Sequence, residues 1–278
     1  LLPALVFMVL TCIFIGWFVL TPYFYRDLFQ TTLSISFFAS NLLLFLKSGY
    51  FTAVSELKPF LHTWSLAVEE QYYVVFPVFL LLTWRFGRRR VIQIIILLAL
   101  ASLLVSEWGW RNNPSATFYL PHSRAWELLA GSLAAFTVLR RDVRSNNVLA
   151  LSGLVAIIVS IFFYDESTPF PSIYTLVPVL GTVLIVLYAD KHTIVAKILS
   201  TKFLVGIGLI SYSAYLWHQP VFAFSRHLTL GELTYLQHVC AIFVILACSI
   251  LSWRYIELPF RDKNVFSRKT VFVSSSLA

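Results

Sequence analysis

The sequence predicts an all-α fold: a polytopic transmembrane helical bundle with about eight spans plus one short re-entrant or interfacial segment. Of the 278 residues, 59% are hydrophobic and 12% are charged, whereas a soluble domain carries about a quarter charged residues. Long apolar runs also recur between short polar or basic stretches, which is the pattern of repeated bilayer crossings. The runs with about the length that a crossing needs are 1–20, 66–84, 91–106, 123–139, 148–164, 173–189, 203–224 and 239–257.

One segment, 31–47, is more polar than these runs. If residues 1–20 run outward, this segment cannot cross fully and is either re-entrant or interfacial. If it does cross, residues 1–20 run inward. The loop 21–30 carries one arginine and one aspartate, so its charge leaves both orientations open.

Basic residues gather in short loops, and this distribution accounts for the net charge of +8. Because cytoplasmic loops of membrane proteins are enriched in lysine and arginine, these loops are predicted to face the cytoplasm. They are 85–90, 140–147, 190–202 and 258–269. The charge therefore fits a multi-pass protein in the lipid bilayer, and no nucleic-acid partner is expected.

Ionisable residues inside the apolar spans are candidates for function, because a charge in the hydrocarbon region is costly. Glu69 and Glu70 lie about one turn inside the outer end of the span 66–84. Tyr73 shares a helix face with Glu69 at i+4 and neighbours Glu70 at i+3. Either the two carboxylates are solvated or paired with an arginine that locks the bundle, or they belong to a functional site.

Two further polar clusters are predicted at a similar depth near the outer face. Arg124 and Glu127 form either a helix-terminal ion pair or a site where the arginine meets an anionic or carbonyl group. His218 follows Trp217 and precedes the helix-kinking Pro220, which favours a cavity wall over a packed histidine. Together the three clusters predict a polar cavity that opens outward.

A fourth cluster, at the cytoplasmic end of the last run, places Arg254 and Glu257 at i and i+3. It is predicted to be a boundary where charged side chains reach the aqueous surface, without a functional role. The three cysteines lie inside apolar runs and are predicted to be packing residues.

Four segments resemble the acyltransferase family 3 membrane proteins of bacteria, and they come in the order that the family shows. Residues 57–73 read LKPFLHTWSLAVEEQYY, which resembles the family's most characteristic stretch. Residues 118–131 (FYLPHSRAWELLAG), 210–220 (ISYSAYLWHQP) and 253–261 (WRYIELPFR) are similar to three more. The resemblance covers nearly the whole chain.

The resemblance implies a multi-pass enzyme of the bacterial inner membrane. Such an enzyme moves an acyl group, commonly acetyl, from cytoplasmic acyl-CoA to a hydroxyl of a cell-envelope glycan. Lipopolysaccharide O-antigen, exopolysaccharide and peptidoglycan are the acceptors typical of the family. Acetyl-CoA or another acyl-CoA is the donor substrate, with no bound cofactor and no metal. Whether the thioester reaches into the membrane or a covalent acyl-enzyme forms stays open.

Roles for individual residues follow from this hypothesis. Catalytic roles are assigned to Glu69, Glu70, Tyr73 and His218. Substrate-binding roles are assigned to His62, Trp64, Ser65, Arg124, Glu127 and Trp217. The family's leading candidate for the catalytic base is a histidine on its first helix, which is expected to precede residue 1. No residue of this chain takes that role by motif.

The domain organisation is also predicted from the resemblance. Residues 1–262 are expected to form the membrane acyltransferase domain without its first helices. Residues 263–278 are expected to be a cytoplasmic linker and the start of a further transmembrane helix. Residues 48–59 (SGYFTAVSELKP) resemble the subgroup that carries a periplasmic SGNH-hydrolase-type domain, so a fused SGNH domain is expected in the full-length protein. Because the leading candidate for the base is expected before residue 1, this chain alone is expected to be inactive.

Two other functions fit a helical bundle with intramembrane charges. One is a transporter or glycan flippase without acyl-transfer chemistry, although no matching pair of interrupted helices is seen. The other is a scaffold that anchors a periplasmic domain, which leaves the polar clusters unexplained.

Overall fold

The structure is a computed structural model that describes residues 2–48, 55–139, 144–165, 167–229 and 231–261. These residues form helices joined by turns and loops, with no strand among them, so the all-α prediction is confirmed. The α-helices are α1 Leu2–Val19, α2 Pro22–Ser36, α3 Ser40–Leu46, α4 Thr63–Thr83, α5 Arg88–Asn112, α6 Pro114–Tyr119, α7 Ala125–Val138, α8 Asn147–Phe163, α9 Leu176–Tyr188, α10 Ile194–Leu199, α11 Lys202–Thr229, α12 Tyr235–Ser252 and α13 Leu258–Arg261.

Several helical segments have the length and composition to cross a membrane. Among the described residues, the four long ones are Leu2–Val19, Thr63–Phe86, Arg88–Asn112 and Tyr235–Arg261. Three shorter apolar ones are Ala125–Val138, Asn147–Phe163 and Ile173–Tyr188. The predicted run 203–224 lies in α11, which has 28 residues but stands outside this set. Hydroxyl, imidazole and amide groups in the middle of α11 lower its hydropathy, so the prediction of about eight spans is not confirmed.

The segment 31–47 is divided between two helices. α2 ends at Ser36, α3 begins at Ser40, and Phe38 between them has a φ of 52°. α3 has 7 residues, so it is about 10 Å long, a third of the hydrocarbon core. Residues 31–47 are therefore not one continuous helix, and both orientations of residues 1–20 stay predictions.

The chain divides into two compact units. The first unit comprises 1–43, 49–63 and 202–278, and the second comprises 44–48 and 64–201. The predicted domain boundary at residue 262 stays a prediction. The segment 263–278 and the loop residues Arg140 and Arg141 lie outside the described residues.

In the first unit, α1 and α12 pack against α11. α1 buries Leu5, Met8 and Cys12, whose spacing of three and four residues places them on one helix face. α12 continues into a π-helical turn at Trp253–Glu257 and then into α13. α11 is therefore the helix against which the other long helices of the first unit pack.

In the second unit, α5 packs against α7, and α8 packs against α9. Val91 and Ile95 of α5 form a buried cluster with Leu129 of α7, and aromatic residues of α4 pack around it. The two helices α8 and α9 approach closely at Gly153 and Gly181, where a Cβ on either glycine would meet the backbone of the other.

Candidate functional site

Three aromatic rings meet in the first unit, where α11 passes the residue that leads into α4. Tyr215 and His218 share one face of α11 because they are three residues apart. Their ring centroids lie 5.5 Å apart, and the His62 ring lies 5.2 Å from Tyr215 and 5.1 Å from His218. The Tyr215 hydroxyl donates a hydrogen bond to the His62 carbonyl. Two motifs thus contribute to one group, and we call His62 and His218 the histidine pair.

The hydrogen bond of His218 fixes its tautomer. Nδ1 of His218 lies 2.6 Å from the Tyr215 carbonyl oxygen, and because a carbonyl only accepts, Nδ1 carries the proton. The neutral ring then has its lone pair on Nε2. His218 is half-buried, and its Nε2 makes no hydrogen bond with the residues that the structure describes. A neutral imidazole with an available Nε2 has what a general base requires.

His62 is the buried member of the histidine pair, with 7% of its surface exposed. Burial and, to a lesser extent, the neighbouring His218 lower the pKa of His62 from its ordinary 6.5 to about 3. A hydrogen bond with the Pro59 backbone opposes this shift without cancelling it. His62 is therefore neutral at pH 7, and it presents a buried, uncharged ring to His218.

Side chains of α11 hold the segment that leads to His62. Gln219 donates a hydrogen bond from Nε2 to the Lys58 carbonyl at 3.1 Å, and Nε2 of His227 lies 3.0 Å from the Leu57 carbonyl. These contacts add to the bond between Tyr215 and His62. The position of His62 relative to α11 is thus set by several side-chain bonds to the backbone of 57–62.

The prediction for the last cluster was half wrong. Arg254 is exposed, as expected. Glu257 is instead 4% exposed, and its Oε1 accepts a hydrogen bond from the Ser213 hydroxyl on α11. Sequence reasoning missed both residues of this contact, because a serine in an apolar helix and a glutamate at a helix end each have a simpler explanation.

In the second unit, aromatic rings surround Arg124. Its guanidinium carbon lies 4.7 Å from the ring centroid of Trp64, 4.7 Å from Phe170 and 5.9 Å from Phe118. Nη2 donates to Oε2 of Glu127 at 3.1 Å. Because the side chains of this ion pair are only 12% and 20% exposed, the pair is shielded from water and differs from the exposed helix-terminal pair considered above.

We call the rings of Trp64, Phe118 and Phe170 the cage around Arg124. Sequence reasoning missed Phe118 and Phe170. Phe118 lies in the last turn of the short helix α6 and Phe170 lies in the loop before α9, so neither belongs to a polar pattern. An aromatic residue near an arginine is also common in this sequence, which has 25 phenylalanines. The only available signal was the position of Phe118 six residues before Arg124, within one motif.

The carboxylates of α4 have a different environment. Glu69 and Tyr73 are exposed, and Glu70 is half-buried. No hydrogen bond or ion pair joins these three side chains to other described residues. Tyr72 precedes Tyr73 and was given no role in the sequence analysis. Its hydroxyl shares a 2.7 Å hydrogen bond with the hydroxyl of Ser132 in α7. The catalytic roles assigned to the carboxylates and to Tyr73 stay predictions.

The remaining predicted residues are Trp217 and Ser65. Trp217 is buried, and its ring meets Phe7 of α1 edge to face at 6.1 Å. Ser65 is half-buried in the first turns of α4. Their roles in substrate binding stay predictions, as does the convergence of the polar clusters on one outward cavity. Within the described residues, no group of three or more His, Cys, Asp or Glu side chains is arranged to hold a metal ion.

Comparisons with known proteins agree with the resemblance seen in the motifs. A model of the acyltransferase 3 family, described as an acyltransferase domain, matches residues 1–254. The Listeria monocytogenes protein named peptidoglycan O-acetyltransferase OatA is 31% identical over 304 aligned residues, covering 96% of this chain and 47% of its own length. The Staphylococcus aureus (strain NCTC 8325) protein named O-acetyltransferase OatA is 29% identical over 225 residues, covering 75% of this chain and 37% of its own length.

The chain therefore spans about half the length, or less, of the curated relatives it matches. No solved structure matches it.

Proposed function

The chain belongs to the acyltransferase 3 family, and from that premise we propose that the protein transfers an acyl group from acyl-CoA to a hydroxyl of a cell-envelope glycan. Acetyl is the proposed group, because the relatives are named O-acetyltransferases. Peptidoglycan is the acceptor we favour over O-antigen and exopolysaccharide, because the Listeria relative is named for it. The proposed location is the bacterial inner membrane, with a fused SGNH domain as a further partner of the full-length protein.

The single observation that carries the chemistry is that Nδ1 of His218 is bonded to the Tyr215 carbonyl, which leaves a lone pair on Nε2. In acyl transfer from a thioester, the acceptor O–H proton moves to a base while the oxygen bonds to the acyl carbon. The C–S bond then breaks, and the thiolate needs a proton to leave as free CoA. A neutral His218, with Nδ1–H held by the Tyr215 carbonyl, can take the first proton at Nε2 and return it to the thiolate.

His62 supports this role as a buried neutral neighbour. The uncharged His62 ring lies 5.1 Å from the ring of His218, so it adds no charge beside the proposed base. His218 could act as the base or as a hydrogen-bond donor to the oxyanion, and the lone pair on Nε2 in the Nδ1–H tautomer favours the base. The family's histidine that is expected before residue 1 is a separate candidate for the base, and the experiment below distinguishes the two.

We propose that Arg124 places an anionic or carbonyl oxygen of the donor or acceptor. Aromatic rings at Trp64 and Phe170 keep the guanidinium plane in a fixed orientation, and its in-plane N–H groups are suited to oxygen acceptors. Glu127 fixes one end of that plane. Glu69, Glu70 and Tyr73 remain proposed members of the site, because polar groups exposed on a membrane-spanning helix are costly without a function.

The test uses purified full-length protein in lipid nanodiscs with acetyl-CoA and a soluble peptidoglycan fragment. Free thiol measures donor cleavage, and mass spectrometry of the fragment measures ester formation. His218→Gln is expected to lower kcat by about 10²–10⁴-fold, the usual contribution of a general base.

The matched control is His238→Gln. His238 is another helical histidine of the first unit, with its Nδ1 3.0 Å from the Thr234 carbonyl, and its replacement should leave kcat unchanged. Full activity of His218→Gln would move the base elsewhere. Wild-type protein that binds the glycan but releases no CoA would instead support a transporter or flippase.

A further inference from the structure

One buried carboxylate of the first unit has no part in the chemistry proposed so far. Glu257 is 4% exposed, and its Oε1 is bonded to the Ser213 hydroxyl. Its Oε2 is also buried and has no hydrogen-bond partner in the part of the chain that the structure describes. A leucine of similar bulk would avoid the cost of burying that oxygen. Packing alone therefore does not explain a glutamate at this position.

The π turn at Trp253–Glu257 brings this side chain to the buried face. The preceding buried residues of α12 are Ala241, Ile245, Ser249 and Ser252. An unbroken α-helix would continue this face three or four residues after Ser252, at Tyr255 or Ile256. Because a π turn adds one residue to the helical turn, the buried position falls on Glu257 instead. Such turns occur frequently at functional sites.

Within α11, Ser213 lies on one side of the helix, and Tyr215 and His218 lie on the opposite side. At about 100° per residue, Tyr215 lies about 200° and His218 about 140° around the helix from Ser213. α11 is thus bonded to Glu257 on one side and, through Tyr215, to the His62 carbonyl on the other. Rotation of α11 about its axis requires that one of these bonds break.

We infer that Glu257 is a positioning residue for His218, acting through Ser213 on the rotation of α11. The inference rests on the proposed acyl transfer, because it concerns the aim of the proposed base. Glu257 contacts neither donor nor acceptor in this role. Its bond to Ser213 is buried, away from competing water, and is therefore stronger than the same bond at a surface. A displaced Nε2 would miss the acceptor proton, since a shift of about 1 Å can cost on the order of a hundredfold in rate.

The first test is kinetic and uses the full-length protein. Glu257→Leu and Ser213→Ala each remove the bond, and both are expected to lower kcat by about ten- to a hundredfold with KM for acetyl-CoA unchanged. Glu257→Gln keeps an oxygen that accepts from Ser213 and should restore most of kcat. Arg254→Leu and Ser211→Ala are the matched controls, because both residues are exposed neighbours on the same helices, and they should behave like wild type.

Combined variants separate positioning from general damage. In the His218→Gln background, Glu257→Leu should cause no further loss of kcat, because the base it positions is already gone. A loss that multiplies with that of His218→Gln would overturn the inference. A kcat for Glu257→Leu equal to that of wild type would overturn it as well.

The second test does not depend on catalysis. The ¹⁵N spectrum of histidine-labelled protein distinguishes the Nδ1–H from the Nε2–H tautomer, and the His218 signal is assigned by its absence in His218→Gln. We expect the Nδ1–H tautomer in every variant, because the Tyr215 carbonyl that fixes it lies on α11 itself. Rotation of α11 moves the His218 ring relative to the His62 ring, so the His218 ring shifts should match wild type in Glu257→Gln and change in Ser213→Ala and Glu257→Leu. Unchanged His218 ring shifts in both latter variants would overturn the positioning role even if no variant, including wild type, transferred acyl groups. That last result would overturn the proposed function alone.

Discussion

The rings of His62 and His218 meet edge to face, with centroids 5.1 Å apart and planes at 67°. The two residues differ in environment, because His62 is buried and His218 is half-buried. Tyr215 connects them: its hydroxyl bonds to the His62 carbonyl, and its own carbonyl accepts from His218 Nδ1. Each histidine therefore has a separate property that can be measured, titration for His62 and tautomer for His218.

The first prediction concerns the pH dependence of stability. His62 titrates near 6.5 when unfolded and near 3 when folded, so between these pH values the unfolded protein binds a proton that the folded protein does not. The contribution of His62 to the free energy of unfolding is thus fully present above pH 6.5 and is lost as the pH falls. The limiting slope is about 1.4 kcal/mol per pH unit. His62→Gln removes this slope.

Thermal unfolding of detergent-solubilised full-length protein from pH 7 downward measures this effect as the difference between wild type and His62→Gln. The wild-type midpoint should fall more steeply with acid than that of the variant. His238→Gln serves as the control for the loss of one histidine and should run parallel to wild type. Parallel curves for wild type and His62→Gln would contradict the burial of a neutral His62.

The second prediction concerns the shape of the Arg124 side chain. Arg124→Lys keeps the positive charge and loses the flat guanidinium that lies 4.7 Å from both the Trp64 and Phe170 centroids. A lysine presents a compact ammonium that cannot offer paired in-plane donors. If the proposed acyl transfer is correct, kcat/KM should fall on the order of tenfold, which matches the ~1–2 kcal/mol of a shielded cation–π contact.

Arg111→Lys provides the matched comparison for this change. Arg111 also lies over a tryptophan, 4.5 Å from the Trp110 centroid, and is paired with Glu107. Its side chain is 54% exposed, so the same substitution there should leave kcat/KM and the unfolding midpoint nearly unchanged. Equal effects at the two positions would show that the cage around Arg124 has no special role.

The all-α fold class and most helix positions could be predicted from sequence because membrane spans are long and apolar. The run 91–106 needed no tertiary information to be placed within α5, Arg88–Asn112. α11 shows the limit of this reasoning. Its apolar ends suggested a span, but the same polar residues that suggested function, such as His218, lower its hydropathy below that of a clear crossing helix.

The sequence indicated which residues belong to the candidate site but did not indicate which of them contact one another. His62 and His218 stood out as histidines in apolar surroundings, but their approach depends on how α11 packs. Glu257 was placed at the aqueous surface because it lies at the end of an apolar run, whereas a π turn brings its side chain to the buried face of α12. Phe170 reaches Arg124 from a loop, where no periodic pattern exists to predict a contact.

The third prediction separates the two bonds of Tyr215. Tyr215→Phe removes the hydroxyl that bonds to His62 and keeps both the ring and the carbonyl that fixes His218. The His218 tautomer should therefore stay as Nδ1–H, while kcat falls about fivefold if the ~1 kcal/mol of a lost hydrogen bond appears in the barrier. Histidine ¹⁵N spectra and thiol release measure the two effects.

Tyr235→Phe is the control for this variant, because Tyr235 is 85% exposed at the start of α12. It should leave both measurements at their wild-type values. A change of tautomer in Tyr215→Phe would contradict the assignment of the proton on His218 to the backbone carbonyl.

The fourth prediction concerns the contact between α8 and α9. In Gly153→Ala, the new Cβ would lie 2.5 Å from the Gly181 carbonyl oxygen, and in Gly181→Ala it would lie 2.7 Å from that of Gly153. Both obstacles are backbone atoms of a packed helix, so the helices must separate. Each change should lower the free energy of unfolding by about 1–3 kcal/mol, as overpacking does in other proteins.

Gly131→Ala tests whether this loss comes from the helix contact and not from alanine itself. Gly131 lies inside α7, and a Cβ there meets nothing within 4 Å, so alanine should stabilise the helix by about 0.5–1 kcal/mol. Gly153→Ala is thus expected to lower the free energy of unfolding, and Gly131→Ala in the same unit is expected to raise it. Thermal unfolding of the full-length protein measures both effects. A Gly153→Ala variant as stable as Gly131→Ala would mean that α8 and α9 do not meet at these glycines, since helix propensity alone favours alanine at both positions.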